Sequence, residues 1–252
     1  MTRSVNLRRV RTAAAGAALV ALSAAACTTH AGSSAQVGSS TISTSTLRGL
    51  VQRGSAAVTA NPTAGQPLDP PALQRRLLSL LVTDKLVDEE AGKLGVSVTR
   101  QDISSYDQAF GALNFGSAAK FHQQLAAAGV GPSDTDLYVR YAALQEAIED
   151  KISPAPTVSD AALRQQYDAV VAQAGKIPLS FEAAKPWIQR FVADQNRSEA
   201  LTKRLTSLEH STKISINPRF GRWDSAQLGV VAADGSIATK IAPAPSAAAT
   251  TQ

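Results

Sequence analysis

The sequence predicts a mainly α fold: an extended, multi-helix domain with a long C-terminal helix and a minor pairing of short strands. Three observations lead there. Apolar residues recur at three- and four-residue intervals through most of residues 43–211, the period of one helix face. Serine, threonine or aspartate stands just before nearly every such run, where its side-chain oxygen can accept from the first free backbone N–H groups. Glycine or proline punctuates the intervals between runs, as expected where helices stop.

Taken in order, Val37, Thr41 and Ile42 favour a short strand or hairpin. Ser43 caps a helix to about Arg53 with Leu47, Leu50 and Val51 inward, and residues 54–68 read as a loop. Asp69-Pro70 places a capping carboxylate before a first-turn proline, and that helix runs to Leu94, with Gly95 closing it. Leu73, Leu77, Leu80, Val87, Ala91 and Leu94 form one stripe and Leu78, Leu81, Val82 and Leu86 a second. A helix apolar on two faces is expected at the centre of its domain. Asp84 fills the gap in the first stripe, read either as a functional buried acid or, in preference, as a structural residue paired with a nearby Arg or Lys or set at the rim. Thr99 and Asp102 have capping-box spacing, ahead of Ile103, Tyr106, Phe110 and Leu113. Ser117 opens a short helix stopped at Gly129, and Ser133 caps another carrying Leu137, Tyr141, Leu144, Ile148 and Ile152. After Pro154 and Pro156, Ser159 starts a helix to about Gln173. Ser180 opens the longest stretch, 181–211, with Pro186 in its early turns as a start or a kink. That stretch would be roughly 45 Å long at the helical rise per residue. Lys213–Ile216 is a strand candidate, and Phe220 and Trp223 are expected to fold back on the core. Residues 225–252 are expected to be a disordered tail, because 233–252 are too poor in large apolar groups to offset ordering entropy.

Composition excludes several classes of function. The 252 residues carry a formal charge of +5, but Arg3, Arg8, Arg9 and Arg11 precede the first acidic residue. Beyond residue 26 there are 21 basic and 20 acidic residues, so no basic face for nucleic acid is expected. The single cysteine, Cys27, allows no internal disulfide. Three histidines make a His-rich metal site improbable. His30 falls in a polar linker, His122 at a packing boundary, and His210 near a helix C-terminus, where the macrodipole favours it. Asp88-Glu89-Glu90, and Glu146, Glu149 and Asp150, read as solvated helix faces. There is no phosphate-binding glycine loop and no nucleophile elbow. No catalytic residue, cofactor or metal is assigned.

The N-terminus sets the address. Four arginines precede the run AAAGAALVALSAAAC, the layout of a secretory signal over residues 1–26, with a retained membrane helix as the alternative. Leu22-Ser23-Ala24-Ala25-Ala26-Cys27 resembles a bacterial lipobox, with Ala24 where a larger apolar residue is usual. The resemblance implies diacylglyceryl transfer to Cys27 and cleavage between Ala26 and Cys27. Two or more acyl chains anchor stably where one does not. The expected location is therefore the extracytoplasmic face of the cell membrane. Residues 27–35 read as a flexible tether and 36–224 as the folded domain.

The order of parts resembles the N-terminal chaperone module of the SurA family, also related to trigger factor. Val37-Gly38-Ser39-Ser40-Thr41-Ile42-Ser43 is similar to its opening strand and helix cap, without the Asn-Gly turn. Thr157-Val158-Ser159-Asp160-Ala161-Ala162-Leu163-Arg164-Gln165-Gln166-Tyr167 resembles the helix before the family's parvulin domain. Ser180-Phe181-Glu182-Ala183-Ala184-Lys185-Pro186-Trp187-Ile188 resembles the helix after it. The likeness spans about 35–224. Six residues lie between Gln173 and Ser180, whereas a small domain needs on the order of 100, so no isomerase is expected. The resemblance implies an ATP-independent holdase for unfolded or translocating secreted and envelope proteins, with Phe110, Phe115, Phe121 and Tyr138 as candidate client contacts. The same aromatics also read as ordinary core. The alternative function is an envelope adaptor for one folded partner.

Overall fold

A computed structural model describes residues 32–61 and 69–233. The signal segment 1–26, Cys27, His30, residues 62–68 and the last part of the expected tail lie outside the described residues.

The described residues begin with a hairpin, β1 (Ser33–Val37) and β2 (Ser40–Ser43). A distant strand, β3 (Ile214–Ile216), pairs on the other side of β1, so the sheet order is β2-β1-β3, all antiparallel. Ala35 faces Ile42 on one side and Ile216 on the other. This corrects the end of the expected tether: Ser33, Ser34 and Ala35 are buried in a central strand. Small residues fit there because neighbours close on both sides, and the Ser33 hydroxyl donates to the Ala35 carbonyl at 3.1 Å.

The first helix, α1 (Thr44–Ala60), is capped by Ser43, whose hydroxyl accepts from the Thr46 N–H. It runs past the expected stop at Arg53. Gly54 is a point of close approach rather than a breaker, since a Cβ there would lie 2.3 Å from the Gly129 carbonyl oxygen. The next helix, α2 (Pro70–Leu94), has the expected Asp69 cap and a left-handed Gly95, and it buries residues on both stripes. Its contacts with α1, β1, the fifth and eighth helices and the last strand make it the central element. A full capping box starts α3 (Arg100–Phe115), and Ser117 caps α4 (Ala118–Ala127). Ser133 does not act as the expected cap. A 3-10 turn over Pro132–Asp134 leads into α5 (Thr135–Ile152), and the Asp134 carboxylate is held by Arg53 at 2.7 Å instead.

Ser159 caps α6 (Asp160–Ala174), and Ser180 caps α7 (Phe181–Phe191). The single long helix expected over 181–211 is in fact two, with α8 (Asp194–Ser211) beginning after a break at Val192–Ala193. The physical reason is that its apolar stripe serves two cores. Phe181, Ala184 and Ile188 pack with Leu113, Leu163 and Ile177, whereas Leu201, Leu205 and Leu208 pack with α2 and the sheet. A third cluster joins Tyr106, Phe121, Leu125, Val130, Val139 and Ala143.

The described residues end in a second hairpin, β4 (Arg222–Asp224) with β5 (Gly229–Val231). Order therefore extends beyond the expected tail start at 225. The Asp224 carboxylate accepts from the Ala226 N–H at 3.0 Å in the turn, Val230 is buried in the main core, and its N–H donates to the Ser79 hydroxyl at 2.7 Å. Phe220 and Trp223 pack on the main core as expected. No helix among the described residues is long and apolar enough to cross a membrane.

Candidate functional site

Helices α6 and α7 form an antiparallel pair on their own core, leaning on the C-terminal part of α3. The pair is closed at one end by the Tyr167 hydroxyl, which donates to the Leu179 carbonyl at 2.6 Å, and by Arg164 stacked 3.6 Å over the Phe181 ring. Lys185 and Asp160 join the two helices at 2.7 Å. Of the fifteen residues of α6, only Leu163 is fully buried. A short, thinly buried helix cannot cover its whole apolar side, and an open groove of about 460 Å³ remains. Leu113, Val170, Ile188, Phe191 and Val192 line it, with Gln166 and with Asn114, whose side-chain amide donates to the Phe110 carbonyl at 3.0 Å. Val192 is 55% exposed, the one large hydrophobic residue so placed among the described residues. Apolar walls with the Gln166 carboxamide, which both donates and accepts, suit an extended peptide, whose side chains need burial and whose backbone needs partners.

The four aromatic candidates are brought together, next to this groove. Phe110 and Phe121 lie 5.0 Å apart between ring centroids, Phe115 and Phe121 5.3 Å, and Phe121 and Tyr138 6.4 Å. Phe121 is 3% exposed, at the centre of the third core, the ordinary-core place that these aromatics also allowed, and so it offers no contact surface of its own. Phe110, Phe115 and Tyr138 are half-buried around it. Phe191 lies 6.4 Å from Phe110, linking cluster and groove.

The acidic runs are not solvated faces. Asp84, in the apolar stripe, is buried and held by Arg140 at 3.2 Å and Lys85 at 3.0 Å. Asp88 meets Arg140, Glu89 meets Lys93 and the Thr212 hydroxyl, and buried Glu90 meets Arg204. Glu146, Glu149 and Asp150 surround the fully buried Arg197, which reaches Asp150 at 2.8 Å, Glu146 at 3.2 Å and the Ser153 carbonyl at 3.3 Å. From the other side of the helix break, Arg190 donates to Asp150 at 2.7 Å. Burial, and then the neighbouring Glu146, push the Glu149 carboxyl up to about 7. Burial likewise raises Glu146 and the Tyr106 hydroxyl. Oxygens of Glu146, Glu149 and Asp194 gather within 4.8 Å, with the Arg197 guanidinium as their counter-charge.

The two described histidines differ in setting. The Nε2 of His122 is 2.8 Å from Asp107, beside Arg100, Thr135 and Arg140, while His210 is exposed near Glu209. Sequence reasoning missed the groove because Val192 reads as one more member of a helical stripe. Only the helix break turns it outward. It missed Arg197 because an arginine in a polar helix, Asp194–Ser211, carries no sign of burial. No protein-family model matches the chain, and no curated protein matches it in sequence.

Proposed function

We propose that this protein is a lipid-anchored, extracytoplasmic, ATP-independent holdase, which keeps unfolded or translocating polypeptides from aggregating and has no isomerase activity. The observation that carries the reading is the open apolar groove between α3, α6 and α7, with its exposed Val192 and with Gln166 beside it. The signal-like N-terminus and the lipobox resemblance at Cys27 support the address. Only residues 175–180 separate α6 from α7, too few for an inserted domain. The half-buried Phe110, Phe115 and Tyr138 would extend the contact from the groove through Phe191.

The test is aggregation of a denatured client protein diluted into buffer, followed by light scattering with and without residues 28–252. Suppression near stoichiometric amounts, absent with a neutral control protein, is the expected result. No suppression at several-fold excess overturns the holdase and moves the groove to an adaptor role. In that case a pull-down dominated by one stoichiometric folded partner is expected.

A further inference from the structure

The end of the sheet where the described chain begins is built from three segments. The Gly32 carbonyl accepts from the Thr44 N–H at 2.8 Å, which places the first turn of α1 beside it. The Asn217 side chain donates to the Ser33 carbonyl at 3.0 Å and its backbone N–H to the Ser34 carbonyl at 2.9 Å, which places the 217–220 turn on the other side. Arg48, just past the first turn of α1, and Arg219, in the 217–220 turn, are exposed, and neither has an ion-pair partner among the described residues. The first turn of α1 contains no acidic residue. From this end α1 leads away, and its Gly54 contact with Gly129 lies roughly 15 Å along the axis from Thr44. The Gly38–Ser39 turn and Lys213 mark the opposite end of β1, roughly 17 Å off at the rise of a strand.

Gly32 lies five positions after Cys27 in the sequence, and a chain spans at most about 3.6 Å per residue. An acylated Cys27 therefore holds this end within roughly 18 Å of the lipid surface. We propose that this end, the first turn of α1 with Arg48 and the 217–220 turn with Arg219, is the face that rests on the membrane and that it recognises anionic headgroups. The proposal depends on the lipid-anchor reading and is independent of the holdase reading. Two unpaired guanidinium groups complement phosphate charge within a Debye length, each contributing roughly fivefold to the face-down population.

The experiment uses the full chain, expressed with its signal segment and purified from membranes. Mass spectrometry of the N-terminal peptide reports whether Cys27 is acylated. A fluorophore is attached to Pro218→Cys or to Ser39→Cys and the protein is placed in phosphatidylglycerol–phosphatidylcholine vesicles carrying a nitroxide headgroup quencher. Quenching several-fold stronger at 218 than at 39 is expected. It should weaken in phosphatidylcholine alone, and in the Arg48→Glu/Arg219→Glu variant with unchanged circular dichroism. Equal quenching at the two positions, or none, in acylated protein overturns the face while leaving the anchor intact. An unmodified Cys27 overturns the anchor and the face with it.

Discussion

Arg197 sits at 0% exposure with three carboxylates of α5 around it. Removing one member of a buried charge group leaves the others desolvated without compensation. Arg197→Ala is therefore expected to destabilise the fold by about 3–5 kcal/mol, read as a lower urea midpoint. An unchanged midpoint would mean that water reaches Glu146 and Asp150. Glu149, beside it, has a definite pH signature. Its folded value near 7 lies above the ordinary 4.5, so the folded chain holds a proton there that the unfolded chain has released. Its contribution to stability is therefore full below about 4.5 and is lost as pH rises towards 7. Glu149→Gln keeps the neutral form at every pH. Its melting temperature relative to the parent should rise between about pH 5 and about pH 8, and a constant difference would refute the assignment.

At the level of elements, close backbone approaches set the packing of α1, α3 and α4. An added Cβ at Gly111 would lie 2.5 Å from the Ala118 Cα, and no side-chain rotation relieves a contact with backbone. Gly111→Ala should cost about 1–3 kcal/mol in denaturant unfolding, despite the better helix propensity of alanine. Gly92, inside α2, would meet nothing within 4 Å. Gly92→Ala should instead stabilise by up to about 1 kcal/mol. The opposite signs make the pair a test of the packing, and stabilisation by both would contradict it. Most helix starts were legible in sequence because a cap is local chemistry: Ser43, Asp69, Thr99, Ser117, Ser159 and Ser180 all accept from the N–H groups of the turns they precede. Helix ends were less so. Gly54 stops a helix by propensity yet lies inside one, because its lack of a side chain is used by Gly129, far along the chain. The break at Val192–Ala193 was hidden for the same reason, since which core each half of a stripe serves is a tertiary fact.

For the whole molecule, groove and fold should separate experimentally. Val192→Asp places a charge on the apolar wall at an exposed position. Suppression of client aggregation should fall several-fold while stability stays within about 0.5 kcal/mol. A variant that melts early, or one that suppresses as well as the parent, would remove the groove from the mechanism. The mainly α class was readable from periodicity, and the strands of the first sheet from Val37, Ile42 and Ile214; the second hairpin was not, since residues 217–224 read as a turn and those after them as tail. The order of strands in the first sheet was not readable either, because nothing near Ser33 indicates that Ile216 will lie beside it. That pairing also bears on how the protein is made. A chain that leaves the cytoplasm N-terminus first exports β1 at the outset, yet one of its two neighbours, β3, emerges only after all eight helices. Closure of the sheet is a late, long-range event, and such contacts form slowly. Exported as proposed, the protein would for most of its passage be an unfinished chain with an open strand edge, the very condition its groove is proposed to relieve in others.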